Sequence, residues 1–460
     1  MKKISLTLLL AGCIGGWTAF AQNPNTNNTN LPAWITRPLT LADCLNIALA
    51  QNATILKAKN DLEAQQGVVV QTRAVALPQL TATGQYKDTD PNAIESFPGS
   101  PTPTPHQNWN SGVQIVQTIY QGGRTIAAFK AASATKRQAI AQYQTAVADT
   151  LLTVRLAYYD VLLAAQQITV NEASVELLQK ELEDQQRRYE AGTVPKLNVL
   201  RAEVAVANQR PALIQARNNY RTSKNNLSNL LGYNLPREVW ENIPLDLTDK
   251  LDAAPYQVDL PTAIQQALDR RTELTDLRQT AELQRLNVIN AKAGYKPTLS
   301  VFAGYSWNNV QFTQPVELDH DISGWNVGGQ LNWAIFDGML TRGKVTQAKA
   351  LYNKAKTNVD DKGRQIELEV RTAYSDFIEA REVLESQTKV QEEAEEALRE
   401  SDARAGAGTG TQLDVLDAQT SLTQARTTEV QALHDYDTAR ARLERAIGAE
   451  MGQNPAQSKP

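Results

Sequence analysis

Cysteine, histidine, methionine and aromatic side chains are all scarce in this 460-residue chain: two Cys, three His, three Met and 6% aromatics. Two cysteines cannot make a disulfide framework. If Cys13 belongs to a cleaved leader, Cys44 is the one thiol left, and its apolar helical pattern (Leu41, Leu45, Ala48, Leu49) suits an inert buried role. His106, His320 and His434 are scattered, and none has the spacing of a metal site. Neither a phosphate-binding glycine loop nor a nucleophile motif appears. The glycine pairs at 122 and 328 fall at strand positions, where they suit close packing. Enzyme chemistry therefore finds no footing, and no cofactor is expected. The net charge of −4 gives no electrostatic reason to expect nucleic acid as a partner. Beyond the N-terminal region there is no uncharged apolar run of about 20 residues, so no transmembrane helix is expected. A membrane span, if there is one, must be β.

What is present begins with an export signal. Lys2 and Lys3 precede an apolar run from Ile4 to Leu10, continuing through Ile14 to Trp17, and Ala19-Phe20-Ala21 fits a signal-peptidase site. Residues 1–21 are thus read as a signal peptide. The rival reading takes Leu10-Ala11-Gly12-Cys13 as a lipobox with a lipidated Cys13, but seven apolar residues are short for that route. Either way the chain leaves the cytoplasm.

The chain then says nearly the same thing twice. Leu41 opens LADCLNIALAQN, and Leu260 opens LPTAIQQALDRR. Pro78-Gln79-Leu80 returns as Pro297-Thr298-Leu299, and Trp109-Asn110-Ser111-Gly112 as Trp325-Asn326-Val327-Gly328. Ala191 to Leu200 returns as Ala407 to Leu416. The offset is about 219 residues early and about 216 later, so the halves are colinear. An extended arm (22–38) precedes a first repeat (39–232): helix, strands at about 78–88 and 109–120, a long helix at about 124–190 and a helix at about 197–231. A linking segment (233–258, with Pro236, Pro244 and Pro255) packs outside the helices. The second repeat (259–448) has strands at about 297–307 and 324–336, a long helix at about 339–404 and a helix at about 412–447. Residues 449–460 form a disordered tail.

Period-two alternation marks the strands. Leu299, Val301, Ala303, Tyr305 and Trp307 alternate with Ser300, Phe302, Gly304 and Ser306; Trp325, Val327, Gly329, Leu331, Trp333 and Ile335 alternate with Asn326, Gly328, Gln330, Asn332 and Ala334. A soluble half-buried hairpin is the plainer reading, but the export signal and the aromatics near the strand ends favour lipid-facing barrel strands. The first half carries weaker versions around Leu80, Ala82, Val113 and Ile115, and polar, Pro-rich stretches (87–108, 308–322) read as exposed loops.

The helices after each strand pair are unusually long and free of proline. At 1.5 Å per residue they would reach ~90–100 Å, several times a bilayer's hydrocarbon thickness. They are too polar for lipid and must project into an aqueous space. Apolar residues at steps of three and four (Ile140, Tyr143, Val147, Leu151, Val154, Tyr158; Ile366, Val370, Ala373, Phe377, Ala380, Leu384) predict coiled-coil seams. The charges of Glu392, Glu393, Glu395, Glu396 and Arg399 are most simply a solvated face.

Four strands cannot close a barrel. An open sheet in lipid leaves on the order of ten unpaired backbone groups at several kcal/mol each, a total of tens of kcal/mol. Marginal protein stability cannot absorb that, so several copies must pool strands in a ring. Counting alone permits eight, twelve or sixteen strands.

In these respects the chain resembles the TolC family of outer-membrane efflux and export ducts, over about Leu39 to Gly448. The resemblance rests on the duplication, on the strand-to-helix passages Tyr120-Gln121-Gly122-Gly123 and Phe336-Asp337-Gly338, on the turn Tyr189 to Thr193, and on the segment Gly408 to Ala418. It implies a mixed, mainly α fold: long coiled-coil hairpins plus four transmembrane strands per chain. A homotrimer would make one twelve-stranded barrel in the outer-membrane lipid, continued by a periplasmic α-helical barrel. A periplasmic adaptor and an inner-membrane pump, of the resistance-nodulation-division or ABC type, would complete the machine.

The resemblance also assigns sites. Asp414 and Asp417 stand three apart at a helix start and share a face; helix-dipole stabilisation alone explains carboxylates there. The family places two aspartates at these positions in the periplasmic constriction, where stacked carboxylate rings attract cations. Where the best-known members hold the closed gate with a tyrosine, an arginine and an aspartate, this chain has Ala405, Gly410 and Asn198. The turns bearing Gly192, Thr193 and Leu197, and Gly408, Thr409 and Leu413, are helix-hairpin punctuation, and the family adds adaptor docking. A periplasmic coiled-coil adaptor is the alternative to a duct, although an adaptor carries one helical hairpin rather than two. A duct for secreted protein and one for small molecules read alike.

Overall fold

A computed structural model describes residues 37–90, 93, 107–233, 243–309 and 321–449. The signal peptide, nearly all of the arm at 22–38, the loops around 94–106 and 310–320 with His106 and His320, the linker residues 234–242, and the tail beyond Ala449 lie outside the described residues. In chain order the elements are α1 (Leu41–Gln51), α2 (Ala53–Ala74), β1 (Gln79–Asp88), β2 (Gln107–Gln121), α3 (Arg124–Glu190), α4 (Lys196–Leu230), α5 (Leu260–Arg270), α6 (Thr272–Lys292), β3 (Thr298–Asn309), β4 (Asp321–Asn332), α7 (Leu340–Gly406) and α8 (Gln412–Ile447). The chain is mostly helical, and the order helix, helix, strand, strand, long helix, helix occurs twice.

Where the periodicity predicts one opening helix per half, the structure has two. Asn52 (φ −63°, ψ 129°) is extended, so it ends α1, and its side chain accepts from the Thr54 N–H at 2.8 Å to start α2. Arg271 (φ −62°, ψ 118°) makes the same break between α5 and α6. One extended residue does not disturb the apolar spacing on either side, so the pattern alone cannot reveal it. Thr40 and Asp43 cap the start of α1 reciprocally, the Asp43 N–H donating to Thr40 Oγ1 at 3.2 Å and the Thr40 N–H to Asp43 Oδ2 at 3.2 Å.

The strands form one antiparallel sheet in the order β1-β2-β3-β4, so β1 and β4 are its edges. β4 stops at Asn332, short of the expected residue 336, because its partner β3 begins at Thr298 and offers nothing for Trp333 to pair with. The Trp333 indole N–H instead donates to the Tyr295 carbonyl at 3.2 Å. Each passage from sheet to long helix uses two successive left-handed residues: Gly122 and Gly123 (φ 63° and 99°), then Gly338 and Met339 (φ 63° and 72°). Gly122 leaves no room for a side chain, since a Cβ there would lie 2.9 Å from the Lys296 Cβ.

The long helices α3 and α7 have 67 residues each, about 100 Å of helix. α4 and α8 run back along them. The core lies around the middle of the long helices, where α1 and part of the linker wrap them. Val154, Tyr158 and Leu162 of α3 pack with Leu39, Cys44, Leu227, Ile243 and Leu245. Ile366, Val370, Phe377 and Leu384 of α7 pack with Ala267, Leu274, Tyr436 and Leu443. The linker after residue 243 is thus part of the core on one side, with Leu39 and Leu247 bridged in parallel and the Tyr158 hydroxyl donating to Asp249 at 2.8 Å. Burial pushes the Cys44 thiol up to about 12, as an inert thiol requires. Of the predicted seam on α3, Leu151, Val154 and Tyr158 are buried while Ile140 is exposed in the single chain. α3 also packs against α6 and α8, and these contacts join the first half to the second.

Candidate functional site

Two regions concentrate the unusual chemistry: the sheet at one end of the long helices and the paired turns at the other. In the sheet, cross-strand rows put like with like. Leu80, Ile115, Ala303 and Val327 form one row, and Ala82, Val113, Tyr305 and Trp325 the next. The opposite face carries the row Thr81, Gln114, Gly304 and Asn326 and the row Thr83, Gly112, Ser306 and Gly324. No described residue covers the apolar face: Trp325 is 78% exposed and Val327 69%. A sheet with one apolar and one polar face, both uncovered in the single chain, is built to divide hydrocarbon from water. Gly328 serves the packing of the polar face, because a Cβ there would meet the Phe302 ring at 2.7 Å.

At the far end, α3 and α7 stop in the same way. Gly192 and Gly408 take left-handed φ of 74° and 76°. That lets the Thr193 N–H donate to the Arg188 carbonyl and the Gly192 N–H to that of Tyr189, both at 2.9 Å. In the second turn the Thr409 N–H donates to the Arg404 carbonyl at 2.9 Å and the Gly408 N–H to that of Ala405 at 3.2 Å. These are the paired C-cap bonds that a glycine past the helix end permits. Leu197 and Leu413 are exposed just beyond, 53% and 49%. The two starts of the return helices differ: Pro195 opens α4 without a side-chain cap, whereas Thr411 and Asp414 form a capping box on α8.

That box defines one member of the aspartate pair. The Thr411 N–H donates to Asp414 Oδ2 at 2.9 Å, and the Asp414 N–H donates to Thr411 Oγ1 at 3.3 Å. The Thr411 backbone and hydroxyl, with a smaller effect of Arg404, hold the Asp414 carboxyl below the usual carboxylate range. Asp417, one turn on, is also exposed. The other face of α8 points inward: Gln412, Val415 and Gln419 are all buried.

Sequence reasoning missed Gln412. Its side-chain N–H donates to the Asn198 carbonyl at 2.9 Å, tying the start of α8 to the start of α4. A main-chain acceptor leaves no residue-type signal, so this tie is invisible in the sequence. Asn198 therefore contributes through its backbone. Gly410 sits so close to the end of α7 that a Cβ would lie 3.1 Å from the Ala405 nitrogen.

Between the two turns runs a cleft of about 520 Å³, lined among others by Glu181, Gln185, Asp402, Gln412 and Gln419. Buried amide oxygens of Gln185, Gln412 and Gln419 have no hydrogen-bond partner there. Among the described residues no group of three or more His, Cys, Asp or Glu side chains could hold a metal.

The sequence matches the outer membrane efflux protein family over residues 44–233 and 263–449, most of the chain in two blocks. The chain belongs to the outer membrane efflux protein family. Among relatives, it is 24% identical to outer membrane protein TolC of Escherichia coli (strain K12), covering 100% of this chain and 90% of the relative. It is 26% identical to the alkaline protease secretion protein AprF of Pseudomonas aeruginosa over 64% of this chain and 60% of that protein. Among solved structures, the outer membrane protein VceC of Vibrio cholerae shares the fold with a TM-score of 0.74 at 19% identity, over 89% of this chain and 96% of that one. An outer membrane efflux protein is a transport duct, which places this chain in the outer membrane with its helices extending into the periplasm.

Proposed function

We propose that three copies of this chain assemble into one passive exit duct of a tripartite efflux or type I secretion system. The observation that carries the reading is the four-stranded sheet with a bare apolar face and two unpaired edges, joined directly to two helices of 67 residues. A sheet in lipid must pair its edges, and the described residues of one chain offer four strands. A trimer supplies twelve strands, enough to enclose an aqueous lumen, and places the polar face inside. The helices, too polar for hydrocarbon, then continue the wall through the periplasm. The two blocks of family match and the repeated element order support descent of the halves, 39–232 and 259–448, from one duplicated unit.

The turns at Gly192 and Gly408 would form the periplasmic tip, with exposed Thr193, Leu197, Thr409 and Leu413 meeting a periplasmic adaptor that links the duct to an inner-membrane pump. Asp414 and Asp417 would line the constriction, three copies of each facing a common axis. Their exposure on the face of α8 turned away from Gln412 and Gln419 supports this. In place of a charged lock at Ala405, Gly410 and Asn198, the Gln412 to Asn198 bond would hold the two hairpins together.

Extraction of the mature chain from outer membranes in mild detergent tests the assembly. Sedimentation should give three copies per particle, and planar-bilayer recordings should show a cation-preferring pore. A monodisperse monomer that inserts no channel would sink the proposal.

A further inference from the structure

We propose that α4 of one copy packs against α7 of a second copy along the half of both helices nearer the paired turns, through an apolar stripe flanked by bases on α4 and acids on α7. This rests on the assembly reading above and deepens it, naming which two helices meet and what joins them. In this half of the molecule α3 packs against α4 on one side and α8 on the other, and α8 packs against α7. α4 and α7 are therefore the outer members of the layer.

Each outer helix carries an apolar stripe without a partner in the single chain. On α4, Leu200, Val204, Ala207, Pro211 and Ile214 are all exposed, Ile214 the most at 67%. They recur at steps of four and three, the spacing of a coiled-coil seam. A different face of α4, with Val199, Ala202 and Val206, is the buried one. On α7, Val383, Val390 and Ala397 are exposed and recur every seven residues, beside the buried Leu384 and Leu398. Single exposed apolar residues are ordinary, but a continuous stripe marks a contact.

Charge identifies the occupant as another copy. α4 has six basic residues and one acidic, Glu203. Residues 379–404 of α7 have nine acidic and four basic. Within one copy Lys389 holds Glu385 and Arg399 holds Glu396. Arg201 and Arg210 of α4, and Glu393 and Glu400 of α7, make no ion pair among the described residues. Pairing α4 with α4, or α7 with α7, would set like charges together, whereas α4 on α7 is complementary. Heights agree too. Gln209 of α4 donates to Asn171 of α3 at 2.9 Å. Ser174, one turn nearer the paired turns, bonds Thr423 of α8 at 2.9 Å, and Arg426, one turn back, donates to Glu395 of α7 at 2.8 Å. Gln209 and Glu395 therefore stand close to one level. Because α4 and α7 run in opposite directions, Ala207 comes level with Ala397, Ile214 with Val390, Arg210 with Glu393 and Arg201 with Glu400. Rotation about an axis along the helices keeps those levels, so a ring of copies brings the two stripes face to face.

Disulfide cross-linking of the full mature chain tests the contact. Ala207→Cys with Ala397→Cys in one chain should, on mild oxidation, give covalently joined copies, because a disulfide needs Cα atoms within about 7 Å. Within one copy α3 and α8 separate the two positions, so the bond can form only between copies. Neither single substitution should cross-link, and the buried Cys44 stays out of reach. Adding Arg201→Glu with Arg210→Glu should cut the cross-linked yield, and adding Glu393→Arg with Glu400→Arg to that chain should restore it. A particle that sediments as three copies but forms no such cross-link, or whose yield ignores the charge reversal, overturns the proposal and leaves the duct reading standing. A monomer overturns both. Ala207 and Ala397 are exposed, so their replacement spares the fold of one copy, and their cross-link decides alone if the charge-reversed chain fails to fold.

Discussion

His434 of α8 lies 2.9 Å through its Nε2 atom from a carboxylate oxygen of Asp160 on α3, and its Nδ1 atom lies 3.0 Å from Asp435. The imidazole thus bridges α3 and α8, one of the helix contacts that join the two halves. Burial works to lower its pKa, but the two carboxylate partners outweigh burial and hold it above the ordinary value. A raised imidazole contributes stability in full below its unfolded value of about 6.5 and loses it as pH rises through the folded value. Thermal unfolding of the purified protein should therefore fall in midpoint as pH is raised from about 6 to 8. In His434→Gln that part of the slope should vanish. An identical slope in both proteins would show that the bridge carries no linkage.

Removing the amide of Gln412 should loosen the contact between the two paired turns. Gln412→Ala deletes the bond to the Asn198 carbonyl, whereas Asn198→Ala keeps the acceptor because it belongs to the main chain. Single-channel conductance should rise or fluctuate in Gln412→Ala and stay near the parent in Asn198→Ala. Equal effects of the two substitutions would point to a side-chain lock instead.

Around the middle of the molecule, Glu273 accepts from Arg271 at 2.9 Å and from Arg445 at 2.6 Å. Burial opposes its ionisation, but the two guanidinium partners lower its carboxyl to about 2. A depressed carboxylate gives stability above its unfolded value of about 4.3 and loses it as pH falls toward 2. Glu273→Gln should cost about 2 kcal/mol, less than a fully broken buried pair, because Arg271 keeps Glu369 and Arg445 keeps Asp149. Chemical or thermal unfolding near neutral pH reads the loss, and acid should then destabilise the variant less than the parent.

Neutralising both aspartates of the α8 start, Asp414→Ala with Asp417→Ala, should reduce cation over anion selectivity in bilayer recordings. Asp414 also caps α8 through Thr411, so Thr411→Ala serves as the control for the cap alone. Selectivity that survives the aspartate pair, or that Thr411→Ala removes equally, would take the constriction away from these residues.

Much of the fold was legible because its elements are long and regular. The α7 seam from Ile366 to Leu384 announces itself by spacing alone, and four of its six residues are buried while the two alanines are half-buried. Alternation in Leu299 to Trp307 likewise gives the face of β3. Single-residue events were not legible. The breaks at Asn52 and Arg271 change two backbone angles without altering the pattern. Met339 adopts a left-handed conformation where the first half uses Gly123, a substitution that sequence reasoning has no ground to expect. At the paired turns, the glycines that end α3 and α7 could be read from their type. The tie from Gln412 and the unmet amides could not, because they depend on which neighbour a generic polar residue happens to face.

The strand order has one more consequence. In an up-and-down sheet β1 and β4 run in opposite directions, so antiparallel closure requires β4 of one copy to meet β1 of the next. Two copies cannot mate through a shared β1 edge or a shared β4 edge and stay upright together. A ring closed in this way would be directional, each copy offering one kind of edge and receiving the other. A copy defective at only one edge would be accepted by a neighbour and then leave the circle open, poisoning its companions rather than dropping out.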